Sequence, residues 1–488
     1  MKNILSLCDA YKISHPPQYP VGTTLVCSNH TIRGSRIKNA DYYVFFLLQY
    51  FIKEYLIKRF NEEFFNLPKQ EALAPFKRRI KNYLGNMDLK HFDALHDLGY
   101  LPIEIKALPE GSRIPLRVPC LTIHNTHPDF YWVTNYLETI MSATIWGGIN
   151  SATVVDLYAK IRDKYLNETC DDLSLRDFML HDFSYRGMFG NEAAMISGSA
   201  FLLNSCGSDI IPAIDFLEEY YNADSDKELV AASVPATEHS VACAGGKDGE
   251  EETLLRLMRD VYPTGILSFV CDTWDYWHFL NVTVRKNKDE IKKRNGKLVF
   301  RPDSSPKTPL EIICGDPDAP IGSPEHKGSI QLLWEIFGGT VNSKGYKVLH
   351  PCCGLIYGEA ISMDLYEKIC QTLKSMGFAI SNLVVGIGSF SMQYHTRDSL
   401  KQAIKATYCE INGKGVEIFK DPKTDNGTKK SAKGLIAVYK SDAGEYYMVD
   451  GVSWKEVNNC EFKTVFKDGK LLIDQTLSEI RERIKQLN

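Results

Sequence analysis

Val44, Leu47, Leu48, Phe51 and Tyr55 recur at three- and four-residue steps, which predicts an amphipathic helix over residues 41–65. Residues 130–145 and 192–203 carry further helical patterns, the second rich in Ala, Gly and Ser and therefore suited to close packing. From about residue 180 the rhythm changes. Short apolar runs at 266–272, 298–303, 354–358 and 383–388 end abruptly in polar or glycine residues, and helical stretches separate them. Such alternation predicts parallel βα units. In a closed barrel of such units the chemistry gathers at the carboxyl ends of the strands, here marked by Asp272, Arg301, Asp303, Gly358 and Gly388. Each of these serves equally well as a turn residue, but five in order point to a shared site. Beyond residue 400, alternating patches at 434–439 and 445–450 predict antiparallel strands after a Lys-rich loop, 420–433, and residues 476–487 predict a closing helix.

A length of 488 residues exceeds one ordinary core, so two domains, or one large α/β unit with an appendage, are expected. A hydrophobic share of 44% and a charged share of 24% are those of a globular protein. The net charge of −4 gives no reason to expect nucleic acid as a partner, although a phosphate site needs only a few local cations and N–H groups. The first nine residues hold no long apolar segment and reach Asp9 at once, which argues against a secretory signal. No apolar run approaches the length of a membrane span. The thirteen cysteines sit singly except for Cys352-Cys353 and show no zinc spacing. A cytoplasmic protein with reduced thiols, and no membrane or nucleic-acid partner, is therefore expected.

The densest chemistry lies in His181-Asp-Phe-Ser-Tyr-Arg-Gly187, which sets the aromatic ring of Phe183 three residues from Arg186. A flat substrate can stack on Phe183 while Arg186 holds an anion or carbonyl; a core Phe beside a surface Arg is the plain alternative. Gly207-Ser-Asp209 follows the next helix and could return a carboxylate, an acceptor for an amide NH₂, to the same pocket. Ser233-Val-Pro-Ala-Thr-Glu-His239-Ser240 carries a histidine suited to accept a proton or phosphoryl group, although a lone histidine is more often structural. In Arg301-Pro-Asp303-Ser304 a fixed-φ proline holds a phosphate-gripping Arg beside an Asp able to bind ribose hydroxyls or Mg²⁺. Gly358 and Gly386-Ile-Gly388-Ser389 are either tight turns or phosphate cradles. Lys420, Lys423, Lys429, Lys430 and Lys433 form a solvated charge run or a clamp on polyphosphate.

In this order, together with Asp9-Ala-Tyr-Lys12, Asn342-Ser-Lys-Gly-Tyr-Lys347, Thr396-Arg-Asp398 and Phe419-Lys-Asp-Pro422, these blocks resemble the nicotinamide phosphoribosyltransferase family, of the type II phosphoribosyltransferases, along nearly the whole chain. The resemblance implies an α/β fold: an irregular βα barrel (residues 1–25 plus 150–395) with a second mixed α/β domain rich in antiparallel strands (26–149 plus 396–488). It implies transfer of a phosphoribosyl group from phosphoribosyl pyrophosphate to nicotinamide, with Mg²⁺ and ATP, in a homodimer whose sites are shared. Phe183 and Tyr11 of a partner subunit would sandwich the nicotinamide, Asp209 would bind its carboxamide, and Arg186 and Arg301 would line the pocket. Asp9 and Ser268 are further implied substrate contacts. Asp303, Gly358, Gly388 and Ser389 would hold ribose and 5′-phosphate, and Arg33, Arg397, Lys405, Lys420 and Lys429 would surround the other phosphates. ATP would phosphorylate His239, with Asp272 close by. A nicotinate-using relative, or a barrel-fold binding protein without catalysis, is the alternative; His239, Arg301 and Asp303 together speak for catalysis. The family's glycine-rich run stands here as Gly386-Ile-Gly-Ser-Phe390.

Overall fold

A computed structural model describes residues 3–303, 308–420 and 432–486. The chain divides into two compact units, Met1–Thr153 with Phe216–Ala223 and His395–Asn488, and Val154–Asp215 with Asp224–Tyr394. The first 25 residues, assigned from the sequence to the barrel, cluster with the unit that holds the C-terminal residues.

The unit of residues 154–215 and 224–394 is built on a six-stranded parallel sheet. Its order is Gly207–Ser208, Leu180–Asp182, Leu383–Ile387, Cys353–Tyr357, Asn295–Arg301, Thr264–Val270. Residues 232–237 then bridge the two edges. Ala232 pairs in parallel with Gly207, and Ala236 with Ser268. Ser208 N–H donates to Ala232 O at 3.1 Å, and Thr237 N–H to Ser268 O at 3.0 Å. Every strand points the same way, so the predicted irregular barrel closes with all its carboxyl ends on one rim. The four apolar runs are strands within three residues of their predicted bounds. The short strands at 180–182 and 207–208 carry too few apolar residues to show a period.

The other unit carries a seven-stranded antiparallel sheet drawn from both chain ends. In order, its strands are Lys414–Glu417, Gln402–Ile411, Thr23–Ile32, Pro119–Asn125, Ile103–Ala107, Lys463–Lys467 and Lys470–Leu471. Leu435–Lys440 and Tyr446–Val452 form the predicted antiparallel pair, and a Thr476 capping box starts the closing helix Leu477–Lys485. Two expectations need correction. Residues 41–65 do not start as helix: Tyr42–Val44 is a strand paired with Arg113–Pro115, and helix begins only at Leu48. Leu47, at φ 83°, forces the break. Its side chain fills the space at Gly148, where a Cβ would lie within 2.2 Å of Leu47 Cδ1. The helical segment expected over 130–145 is present as Val133–Tyr136 and Glu138–Thr169 and runs on well past its expected end, through Gly148, whose missing Cβ leaves room for Leu47.

Glu110 locks that start. Buried, it accepts hydrogen bonds from Leu47 N–H (2.8 Å), Gln49 N–H (2.6 Å) and Tyr221 Oη (2.9 Å). Glu110→Ala leaves three buried donors unpaired and is expected to destabilise the protein by about 3–5 kcal/mol in denaturant unfolding. Burial outweighs those donors and pushes the Glu110 carboxyl up from 4.5 to about 7. Its folded pKa exceeds the unfolded one, so this contribution is complete below about 4.5 and is lost as pH rises through about 7. The fall in melting temperature from pH 5 to 8 should accordingly be shallower in the variant.

Candidate functional site

The barrel rim collects eleven of the residues singled out from the sequence: Phe183, Arg186, Asp209, His239, Ser268, Asp272, Arg301, Asp303, Gly358, Gly388 and Ser389. Most stand at or just beyond the end of a strand or of the bridging segment; Ser268 lies inside Thr264–Val270 and is buried. Register explains this: seven parallel segments end together, so each strand's first polar residues meet at one face.

Phe183 follows Leu180–Asp182, and its N–H donates to Ile387 O at 3.0 Å. Its half-buried ring lies on the backbone of two neighbouring strands. A Cβ on Gly386 would come within 2.3 Å of Phe183 Cδ2, and one on Gly358 within 3.1 Å. Both glycines thus make the seat for an aromatic platform, which was not evident from the sequence for Gly386. Gly386→Ala should tilt the ring and raise the KM for an aromatic substrate about tenfold or more, with smaller change in kcat; steady-state kinetics would show it.

Asp209 follows Gly207–Ser208 and is joined by two side chains that the sequence pattern does not single out. His181 Nε2 donates to Asp209 Oδ1 at 3.0 Å, and Ser233 Oγ to the same oxygen at 2.6 Å. Partial burial alone would raise the Asp209 carboxyl, but these hydrogen bonds outweigh it and hold the group below its ordinary value. The pocket therefore presents an ionised acceptor beside an aromatic platform.

The second centre lies at the ends of the next strands. His239 Nε2 bonds Asp272 Oδ1 at 3.0 Å, and the N–H of Asp303 donates to Asp272 Oδ2 at 2.8 Å. One buried carboxylate thus orients the imidazole and fixes the Arg301-Pro-Asp303 strand end together. The adjacent Glu238 does not serve as the orienting group; its carboxylate takes the Ser240 hydroxyl. Arg301 Nη2 donates to Thr237 O at 2.6 Å, and its buried Nε has no partner among the described residues. Burial, with the charges of Asp272 and Asp275, pushes Glu250 up to about 7. The sequence hid it in an acidic run, residues 250–252, that reads as a solvated helix start.

The remaining predicted residues belong to the other unit. Asp9 accepts from Thr139 Oγ1 at 2.8 Å, and Tyr11 is 57% exposed beside the Lys12 ammonium, 5.3 Å from its ring centroid. Lys12 and Lys405 share Glu138, at 2.5 and 3.1 Å. Arg33 N–H donates to Lys401 O, and Arg397 pairs with Asp398. Lys420 is exposed; Lys429 and Ser304 lie outside the described residues. Among the described residues no three His, Cys, Asp or Glu side chains converge as a metal site. No described helix is long and apolar enough to cross a membrane. The thirteen cysteines are free thiols, eleven of them buried.

Residues 178–470 match the nicotinate phosphoribosyltransferase (NAPRTase) family, and residues 3–105 match the nicotinamide phosphoribosyltransferase N-terminal domain. Nicotinamide phosphoribosyltransferase of Acinetobacter baylyi is 47% identical over 99% of this chain and 97% of its own length. The Mycoplasma pneumoniae protein of the same name is 32% identical over 90% and 97%. Among solved structures, a nicotinate-nucleotide pyrophosphorylase from Pyrococcus furiosus has a TM-score of 0.60 at 13% identity, covering 100% of this chain and 96% of that one. Human nicotinic acid phosphoribosyltransferase gives 0.55 at 12%, covering 98% and 93%; these two similarities concern the fold.

Proposed function

This chain belongs to the nicotinamide phosphoribosyltransferase family, and from that premise we propose how its rim performs the reaction, which joins nicotinamide to phosphoribosyl pyrophosphate and releases pyrophosphate. The observation that carries the assignment of roles is the pairing of the Phe183 platform with the ionised Asp209. The ring nitrogen of nicotinamide bears no proton, so no general base is needed. Its lone pair forms the bond to the ribosyl carbon as the bond to pyrophosphate oxygen breaks. The product ring is cationic and is stabilised by stacking on Phe183. Asp209 accepts the carboxamide N–H, while Arg186 and Arg301 line the pocket. Asp303, Gly358, Gly388 and Ser389 hold ribose and 5′-phosphate, with Ser268 as a further contact.

Mg²⁺ fits as a companion of the phosphates. It commonly keeps several waters and takes one or two protein carboxylates, which Asp303 and Asp272 offer at this rim. Held by these carboxylates, it would supply positive charge to offset the negative charge of the departing pyrophosphate. Arg33, Arg397, Lys405, Lys420 and Lys429 are assigned to phosphates of the two nucleotide-like substrates, and ATP is the phosphoryl donor to His239. The test is direct: pyrophosphate should appear only with nicotinamide and phosphoribosyl pyrophosphate together, and ATP should accelerate it with release of ADP.

The homodimer forms part of the same proposal. On the rim, Phe189 is 87% exposed and Tyr394 79%, and the Tyr394 ring stacks on the exposed Phe390 at 5.6 Å. A cluster of exposed aromatic rings suits a second copy of the chain. In that dimer Asp9 and Tyr11 of the partner subunit would complete the nicotinamide sandwich. Mixing inactive Tyr11→Ala and Phe183→Ala proteins should restore activity, because a hybrid dimer holds one site with both lesions and one with neither. The ceiling is half the normal activity per hybrid. No recovery, with subunit exchange verified by mass spectrometry, would contradict the shared site.

A further inference from the structure

We propose that His181 and Ser233 are positioning residues for substrate choice, clamping one oxygen of Asp209 so that the other reads the amide; the inference rests on the nicotinamide assignment above. Both donors end on Oδ1, at 3.0 Å from His181 Nε2 and 2.6 Å from Ser233 Oγ. They approach from the two segments flanking Asp209, the strand Leu180–Asp182 and the bridging residues 232–236. An oxygen that already accepts two strong donors fixes the plane of the carboxylate, and Oδ2 is left for a ligand N–H.

The imidazole is itself held in place. A Cβ on Gly207 would lie within 2.9 Å of His181 Nδ1, so glycine in the neighbouring strand makes room for the ring. On its other side the Phe183 ring stands 4.6 Å away, tilted by 37°. One buried histidine therefore touches both the platform that stacks the substrate and the carboxylate that selects it. The backbone adds a third tie, since Asp209 N–H donates to Asp182 O at 3.1 Å.

Removing a donor frees Asp209 to rotate and makes its protonated form more accessible. A protonated Asp209 offers an O–H, which suits the carboxylate of nicotinate as well as the carbonyl of nicotinamide. The amide preference then narrows, while the phosphoribosyl site is untouched.

The experiment compares kcat/KM for nicotinamide and nicotinate in the full enzyme and in His181→Ala, His181→Gln, Ser233→Ala and Asp209→Asn. The alanine variants should reduce the nicotinamide-to-nicotinate ratio about tenfold, the loss of one charge-assisted hydrogen bond, mostly through the KM for nicotinamide and with kcat held. His181→Gln, which keeps an N–H donor, should recover part of the ratio. A merely structural role would lower both substrates alike. Ser233 is exposed, so its variant folds even where a change at His181 does not. An unchanged ratio in both alanine variants, with Asp209→Asn altering it, overturns the clamp alone. An unchanged ratio in Asp209→Asn as well overturns the role of Asp209, and the clamp with it.

Discussion

On the proposal that His239 carries the phosphoryl group, replacing it with alanine is expected to abolish ATP hydrolysis and the ATP-driven gain in turnover, while slow ATP-independent transfer survives. One contact says which ring nitrogen that proposal would use. Asp272 occupies His239 Nε2 at 3.0 Å, so Nδ1 is the nitrogen presented to a phosphoryl donor. In the proposed step a bond from Nδ1 to the γ-phosphorus would form as the bond to ADP oxygen breaks, and Asp272 would stabilise the imidazolium that results. Asp272→Asn keeps the shape but can turn an amide N–H toward Nε2 and impose the wrong tautomer. The ATP-dependent rate should then fall on the order of 10²- to 10⁴-fold. His239 is 44% exposed, so its removal leaves the barrel folded. ADP release and nucleotide formation, each measured with and without ATP, check both variants. Full ATP stimulation in His239→Ala would rule out the phosphohistidine.

Asp209→Asn carries the second large effect. Facing nicotinate, an ionised Asp209 meets another carboxylate. Two unit charges about 4 Å apart repel by roughly 4 kcal/mol at an effective dielectric near 20. Half of that already gives a preference of some tens-fold for nicotinamide. Arg301 offsets part of the repulsion, since its charge also acts on Asp209. Asparagine removes the like-charge contribution and keeps the size, so the preference should shrink by about tenfold or more, chiefly through lost nicotinamide affinity. Competition kinetics with both substrates would measure the change.

The barrel was legible where its strands were long. The apolar runs ending at Asp272, Arg301, Gly358 and Gly388 are period-free stretches bounded by polar ends, which is how a strand buried on both faces reads. The strands carrying Phe183 and Asp209 were not, because two or three residues hold no periodicity; the motif chemistry located them instead. The bridging segment 232–237 escaped for another reason. Its pairing rests on two isolated bridges, either side of Pro235, which has no N–H to extend a ladder. Site residues with conspicuous chemistry were found in the sequence, whereas His181 and Ser233 were passed over and Gly386 was read as a turn or phosphate cradle, not as the seat of the Phe183 ring. Their roles depend on what a neighbouring strand places beside them, and only register supplies that.

The most direct test of the central claim offers the enzyme equal nicotinamide and nicotinate with limiting phosphoribosyl pyrophosphate, Mg²⁺ and ATP, and identifies the nucleotide formed by mass spectrometry. A Phe183 platform beside an ionised Asp209 predicts nicotinamide mononucleotide in large excess, with one pyrophosphate per nucleotide. Comparable or greater formation of the nicotinate nucleotide would contradict the role of Asp209 and assign the rim to the acid instead.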